Sequence, residues 1–171
     1  REKITRIVTV PRKWAAHDGF PSHADMVRTM LGMKYPHLRS VPWELLEKKS
    51  EGEVAEIMGG STVFLSLCYM EACPLAPLEA MASGCVVVGY HGNGGLEYAT
   101  PENGIWHSPE HLERVTDSIA DVLHRLERGD PEVLKMRDAG MATATGFTRE
   151  RTKAALNEVY GALLTQPVSP A

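Results

Sequence analysis

Two short apolar runs, Val63 to Leu67 and Cys85 to Val88, limit what this chain can fold into more than any other feature. Each is continuous and rich in β-branched residues, the pattern of a parallel strand covered on both faces. The segment between them reads as one helix. Pro74 to Pro77 marks its first turn, where proline's missing N–H has no partner to lose, and Ser83-Gly84 marks its stop. A strand, a helix and a second strand of the same kind form a β-α-β crossover, which directs the chain toward an open parallel sheet.

The flanking sequence repeats the alternation. Ile4 to Val10 reads as a first strand that ends at Pro11-Arg12-Lys13. Trp14 to Pro21 is a turn-rich loop in which His17 and Asp18 are either solvated or placed to touch an acceptor or a partner domain. Ser22-His23-Ala24-Asp25 has capping-box form and predicts a helix to about Met33. Val41 to Leu46 predicts a second strand, and Ser50-Glu51-Gly52-Glu53 caps a short helix to Met58 that Gly59-Gly60 stops. Gly104 to Trp106 is a short final strand. Ser108-Pro109 is expected to cap an amphipathic helix from Glu110 to Arg128, with Leu112, Val115, Ile119, Val122, Leu123 and Leu126 on its core face. Asp130-Pro131 and Thr148 open two more helices, the last running to Leu164. The sum is a doubly wound α/β domain with a mostly parallel, Rossmann-like sheet.

A chain of 171 residues with formal net charge −4 fits one domain over residues 1–164, with 165–171 expected to be a disordered tail. The charges form no blocks, so neither nucleic acid nor an anionic membrane surface is an expected partner. No apolar run approaches the ~20 residues of a membrane span, and no signal-peptide pattern opens the chain. Cys68, Cys73 and Cys85 are odd in number and lack metal-ligand spacing, which fits reduced thiols and a cytoplasmic location. Cys68 and Cys85 read as core fillers and Cys73 as a loop residue. A start at Arg1 without methionine reads as a piece of a longer protein.

In an open parallel sheet, ligands bind beyond the carboxyl ends of the strands, and the loops there have unusual composition. Leu67 leads into Cys68-Tyr69-Met70-Glu71. Gly89 leads into Tyr90-His91-Gly92-Asn93-Gly94-Gly95, four glycines in seven positions, so backbone amides can approach a ligand closely. The intervening helix offers free N–H groups and a positive dipole end suited to an oxyanion. Glu71 and Glu79 flank that end.

On these residues the chain resembles the donor-binding, carboxyl-terminal domain of nucleotide-sugar glycosyltransferases built from two Rossmann-like domains (the GT-B fold), the retaining group called glycosyl transferases group 1. The motifs that carry the resemblance are the spaced glutamates of Glu71-Ala72-Cys73-Pro74-Leu75-Ala76-Pro77-Leu78-Glu79, the helix E-A-M-A-S-G, the run C-V-V-V and the turn H-G-N-G-G-L-E. One departure is plain: the loop after the first glutamate usually reads E-G-F-G-L-P, and here both glycines are replaced.

The resemblance implies transfer of a hexosyl or related sugar from a nucleoside diphosphate to an acceptor hydroxyl, with retention of configuration and no metal or other cofactor. It casts Arg12 and Lys13 as holders of the diphosphate, helped by amides of Leu75 and Ala76 and of the Gly94-Gly95 turn. Glu71 would contact hydroxyls of the transferred sugar and Glu79 the ribose, since an ionised carboxylate is purely an acceptor. His91 and Glu97 flank the glycine turn toward sugar or β-phosphate, and the base rests near Leu46, Glu47 and Lys48. The missing partner would be an amino-terminal acceptor domain. Each assignment has a plainer counterpart: a solvated basic turn for Arg12-Lys13, a first-turn carboxylate for Glu79, a solvent-facing charge for Glu71, an ordinary loop residue for His91, a cap for Glu97. Two other functions stay open at this point, a catalytically silent nucleotide-sugar-binding or interaction module and a flavodoxin-like binding domain.

Overall fold

The structure, a computed structural model, describes residues 2–10 and 21–164, with side chains as far as residue 161. In chain order it runs β1 (Ile4–Thr9), α1 (His23–Lys34), β2 (Trp43–Leu45), α2 (Glu51–Gly59), β3 (Ser61–Cys68), α3 (Leu75–Ala82), β4 (Val86–His91), β5 (Gly104–Trp106), α4 (Leu112–Glu127), α5 (Pro131–Ala144) and α6 (Arg149–Leu164). The five strands form one sheet in the order β2-β1-β3-β4-β5, and every pairing is parallel. The expected tail lies outside the described residues.

Period-two alternation along the central strands divides the core. Ile7, Val63, Leu65, Val86 and Val88 point to one face and pack with Val27 and Leu31 of α1 and Val115 and Ile119 of α4. Val8, Phe64 and Val87 point to the other and pack with Leu78 and Met81 of α3 and Met58 of α2. Val8 sits opposite Phe64 and Phe64 opposite Val87, so the pattern is in register across three strands.

The helix signals act locally as expected. Ser22 Oγ accepts from Asp25 N–H at the start of α1, and both halves of the Ser50-Glu53 capping box form at α2. Asp130 accepts from Glu132 N–H ahead of Pro131. Two boundaries differ. The second strand shortens to Trp43–Leu45, because Pro42 brings no N–H to the ladder and β2 is the sheet edge. Ser108-Pro109 does not cap α4: His111 N–H closes a turn onto Ser108 C=O at 3.0 Å, and the helix begins at Leu112.

The amino-terminal edge is tied by a half-buried cation. Lys3 Nζ donates to the carbonyls of Ser61 at 2.7 Å, Ser83 at 2.8 Å and Gly59 at 3.2 Å, so it satisfies carbonyls at the ends of α2 and α3. Cys85 lies beside it, and burial pushes its thiol up to about 11. No helix among the described residues is long and apolar enough to cross a membrane.

The thiol's shift sets a pH dependence. The unfolded chain loses the Cys85 proton near 9 and the folded chain only near 11, so between these values the unfolded state binds fewer protons and stability falls as pH rises. Lys3, whose lowered pKa comes chiefly from burial, acts in the opposite direction. Between pH 8.5 and pH 11, urea unfolding should therefore show a loss of roughly 2 kcal/mol from the thiol, and Cys85→Ala should remove that part of the slope; an unchanged slope would contradict it.

Candidate functional site

The strand order places a topological switch point between β1 and β3, where successive connections leave toward opposite faces and open a crevice. A cavity of about 330 Å³ lies there. Phe64 and Leu67 of β3 and Val10 beyond β1 line it, together with Glu71, Leu75 and Ala76. The structure thus brings Glu71 together with the first turn of α3. Cys73, the exposed thiol of the three, lines the same cavity.

Two braces hold the Glu71 loop. Met70 has a left-handed backbone, φ +51°, which turns the chain sharply after β3. Gly94 N–H then donates to Glu71 C=O at 2.9 Å, and a Cβ at Gly94 would collide with the Ala72 carbonyl. The second brace is Tyr98, whose hydroxyl donates to Pro74 C=O at 2.8 Å at the head of α3. Its ring meets Trp106 and Phe147 edge-on, with centroids 6.2 and 5.6 Å away. Burial, aided by the nearby Cys68, Cys73 and Glu71, pushes the phenol far above its ordinary pKa, so it remains a donor.

The amides divide differently from the sequence reading. Pro74 and Pro77 contribute none, which leaves Leu75 and Ala76 as the donors at the start of α3. Gly94 N–H is used by Glu71, and Gly95 N–H points to Gly92 C=O at 3.3 Å. The expected phosphate-facing amides of that turn are therefore engaged within the fold, and Gly94 acts by permitting close approach.

Glu79 is exposed on the next turns of α3 and faces a groove of about 750 Å³ between α3 and α6. Leu75 lines both this groove and the Glu71 cavity, so the two flank the first turn of α3. His91 ends β4 in a third hollow of about 370 Å³ with Cys68, Met70, Trp106 and His107, rather than in the Glu71 cavity. Its Nδ1 is buried without a hydrogen-bond partner. His107 there contacts Ser118 Oγ at 2.9 Å through Nε2, and burial, then the charges of Arg114 and His111, lower its pKa. Glu97, exposed after the glycine turn, and Glu47, exposed beyond the edge strand β2, line none of these three. Arg12, Lys13, His17 and Asp18 lie outside the described residues. Among the described residues no three or more His, Cys, Asp or Glu side chains group as a metal site would require.

Sequence reasoning missed Tyr98, Phe147 and the α6 residues Arg149 and Lys153. The four-residue spacing of the last two was visible, but the face it turns toward α3 was not. A lone tyrosine after a glycine turn carries no local signal of burial.

An all-parallel, doubly wound sheet with a crevice at its switch point, where Glu71 stands among mostly apolar side chains, defines a Rossmann-like domain. The chain belongs to the family glycosyl transferases group 1, whose profile matches residues 43–142. A curated relative, the alpha-1,6-glucosyltransferase of Actinobacillus pleuropneumoniae serotype 7 (strain AP76), is 40% identical over 58 residues, which are 34% of this chain and 18% of that protein. Among solved structures, a point mutant of S. aureus TarM in complex with fondaparinux, alpha-GlcNAc-glycerol and UDP aligns with TM-score 0.68 and 13% identity, over 92% of this chain and 36% of that one. The pneumococcal O-GlcNAc transferase GtfA, in complex with UDP and GlcNAc, aligns with TM-score 0.66 and 15% identity, over 96% of this chain and 37% of that one. At these identities the two structures establish the fold. The chain thus spans little more than a third of either solved neighbour and less than a fifth of the curated relative.

The Gly94 brace is open to a direct test. Gly94→Ala forces the Ala72 carbonyl to move and is expected to lower stability by about 1–3 kcal/mol. Gly52→Ala, with nothing within 4 Å of the added carbon, should be neutral or stabilising by up to about 1 kcal/mol. Equal effects in urea denaturation would refute the brace.

Proposed function

We propose that this chain is the donor-binding half of a glycosyltransferase that moves a sugar from a nucleoside diphosphate to an acceptor hydroxyl with retention of configuration. The observation that carries the reading is that Leu75 lines both the Glu71 cavity and the Glu79 groove, which sets the two side by side along a path over the first turn of α3. A nucleotide sugar laid along this path places ribose at Glu79, phosphates over the Leu75 and Ala76 amides and the transferred sugar at Glu71. The positive end of α3 and the cations Arg12 and Lys13 then offset charge that grows on the leaving diphosphate, where preorganised electrostatics contribute most. UDP heads the candidate nucleotides, because both solved neighbours are complexes with UDP. A glucosyl group heads the sugars, after the printed name of the curated relative.

The acceptor binds on a second domain that completes the cleft. The exposed Leu156, Val159 and Tyr160 of α6 are an apolar surface suited to cover by that domain. The three free thiols support a reducing compartment, the cytoplasm, as its location. A second reading, binding without transfer, draws on the replaced loop glycines and on the amides that Pro74 and Pro77 withhold from α3.

Calorimetric titration with UDP, GDP and ADP tests the donor reading. One diphosphate should bind, and Glu79→Ala should weaken it by roughly tenfold, the scale of a hydrogen bond to a charged group. Binding that ignores Glu79, or no binding by any of the three, would contradict the assignment.

A further inference from the structure

The groove between α3 and α6 has walls of opposite character. The α3 wall supplies Leu78 and the carboxylate of Glu79; the α6 wall supplies Arg149 and Lys153, four residues apart and so on one helical face. Phe147 and Ala144 close the end with apolar surface. Every described side chain of α6 is exposed, so the helix stands off from α3 and leaves the groove open. Although Glu79 and the two cations border one space, among the described residues their side chains form no ion pair or hydrogen bond with each other or with other groups.

A simple anion would meet the Glu79 carboxylate, and a simple cation would meet Arg149 and Lys153. The arrangement suits a molecule that has hydroxyls at one point, concentrated negative charge at another and a flat apolar part between walls. Its volume of about 750 Å³ lies within the range of small-molecule sites. The polarity also has a direction. Phe147 packs on Tyr98, whose hydroxyl holds Pro74 at the head of α3. Arg149, two residues past Phe147, therefore opens α6 toward the end where the Leu75 and Ala76 amides lie.

We infer that Arg149 and Lys153 of the last helix grip the diphosphate of the nucleotide, so that α6 is a wall of the donor site. This rests on the donor reading above and adds to it a second pair of cations, on an element separate from Arg12 and Lys13. Arginine gives a planar fork to two phosphate oxygens and lysine a mobile point charge. Glu79 takes the ribose hydroxyls.

The experiment is calorimetric titration of the full chain with UDP and with uridine, for the wild type, Arg149→Ala/Lys153→Ala and Arg151→Ala. Arg151 is exposed on the same helix and does not line the groove. The double variant should lose tenfold or more in UDP affinity, with uridine binding little changed, because each charged hydrogen bond carries roughly a factor of ten. The salt dependence of UDP binding should flatten with it, and Arg151→Ala should stay within about twofold of wild type. Wild-type affinity in the double variant, with UDP binding still weakened in Glu79→Ala, would overturn the role of α6 and leave the donor reading standing. Equal losses in Arg151→Ala and the double variant would reduce the effect to net charge and also overturn it. Failure of the wild type to bind UDP, GDP or ADP would remove both.

Discussion

The site depends on a single topological constraint: β1 and β3 are neighbours in the sheet, yet the chain leaves them toward opposite faces. Because α1 covers one face and α3 the other, the helices of the two connections diverge from the space beyond their carboxyl ends. The strand alternation that commits Ile7 and Val63 to one layer and Val8 and Phe64 to the other is what enforces this divergence. A register slip by one residue would exchange the layers and destroy the crevice with the core.

Around that opening, function and stability share the same contacts. The Glu71 loop cannot relax independently, since Gly94 holds its carbonyl and Tyr98 holds the head of α3. Tyr98 in turn packs on Phe147, at the corner from which α6 departs. The Glu71 loop, the head of α3 and the last helix are therefore braced around one buried phenol. Such bracing keeps donor groups in place before a ligand arrives, the condition under which fixed dipoles are most effective.

Much of this was legible in the sequence because it rests on local signals. The β-branched runs of β3 and β4, the capping box at Ser50 and the Asp130-Pro131 start each act within a few residues. Glu71 and Leu75 were readable for the same reason, since a short loop joins them. Partners chosen across the fold were not readable. Nothing near Gly94 says that its amide meets Glu71 rather than a ligand, and nothing near Tyr98 says that it reaches Pro74. The Ser108-Pro109 cap failed in the same way: its residues suit a helix start, but a turn closed by His111 satisfies them first.

The most direct test of the central claim, that the ligand lies at the β1–β3 switch point, is an NMR titration of backbone amides with UDP. The account expects the largest shifts at Glu71, Leu75, Ala76 and Glu79. The opposite edge of the sheet has its own hollow, about 540 Å³ beside Arg6, Glu53 and Gly60. Shifts concentrated there, with the α3 amides unmoved, would contradict it.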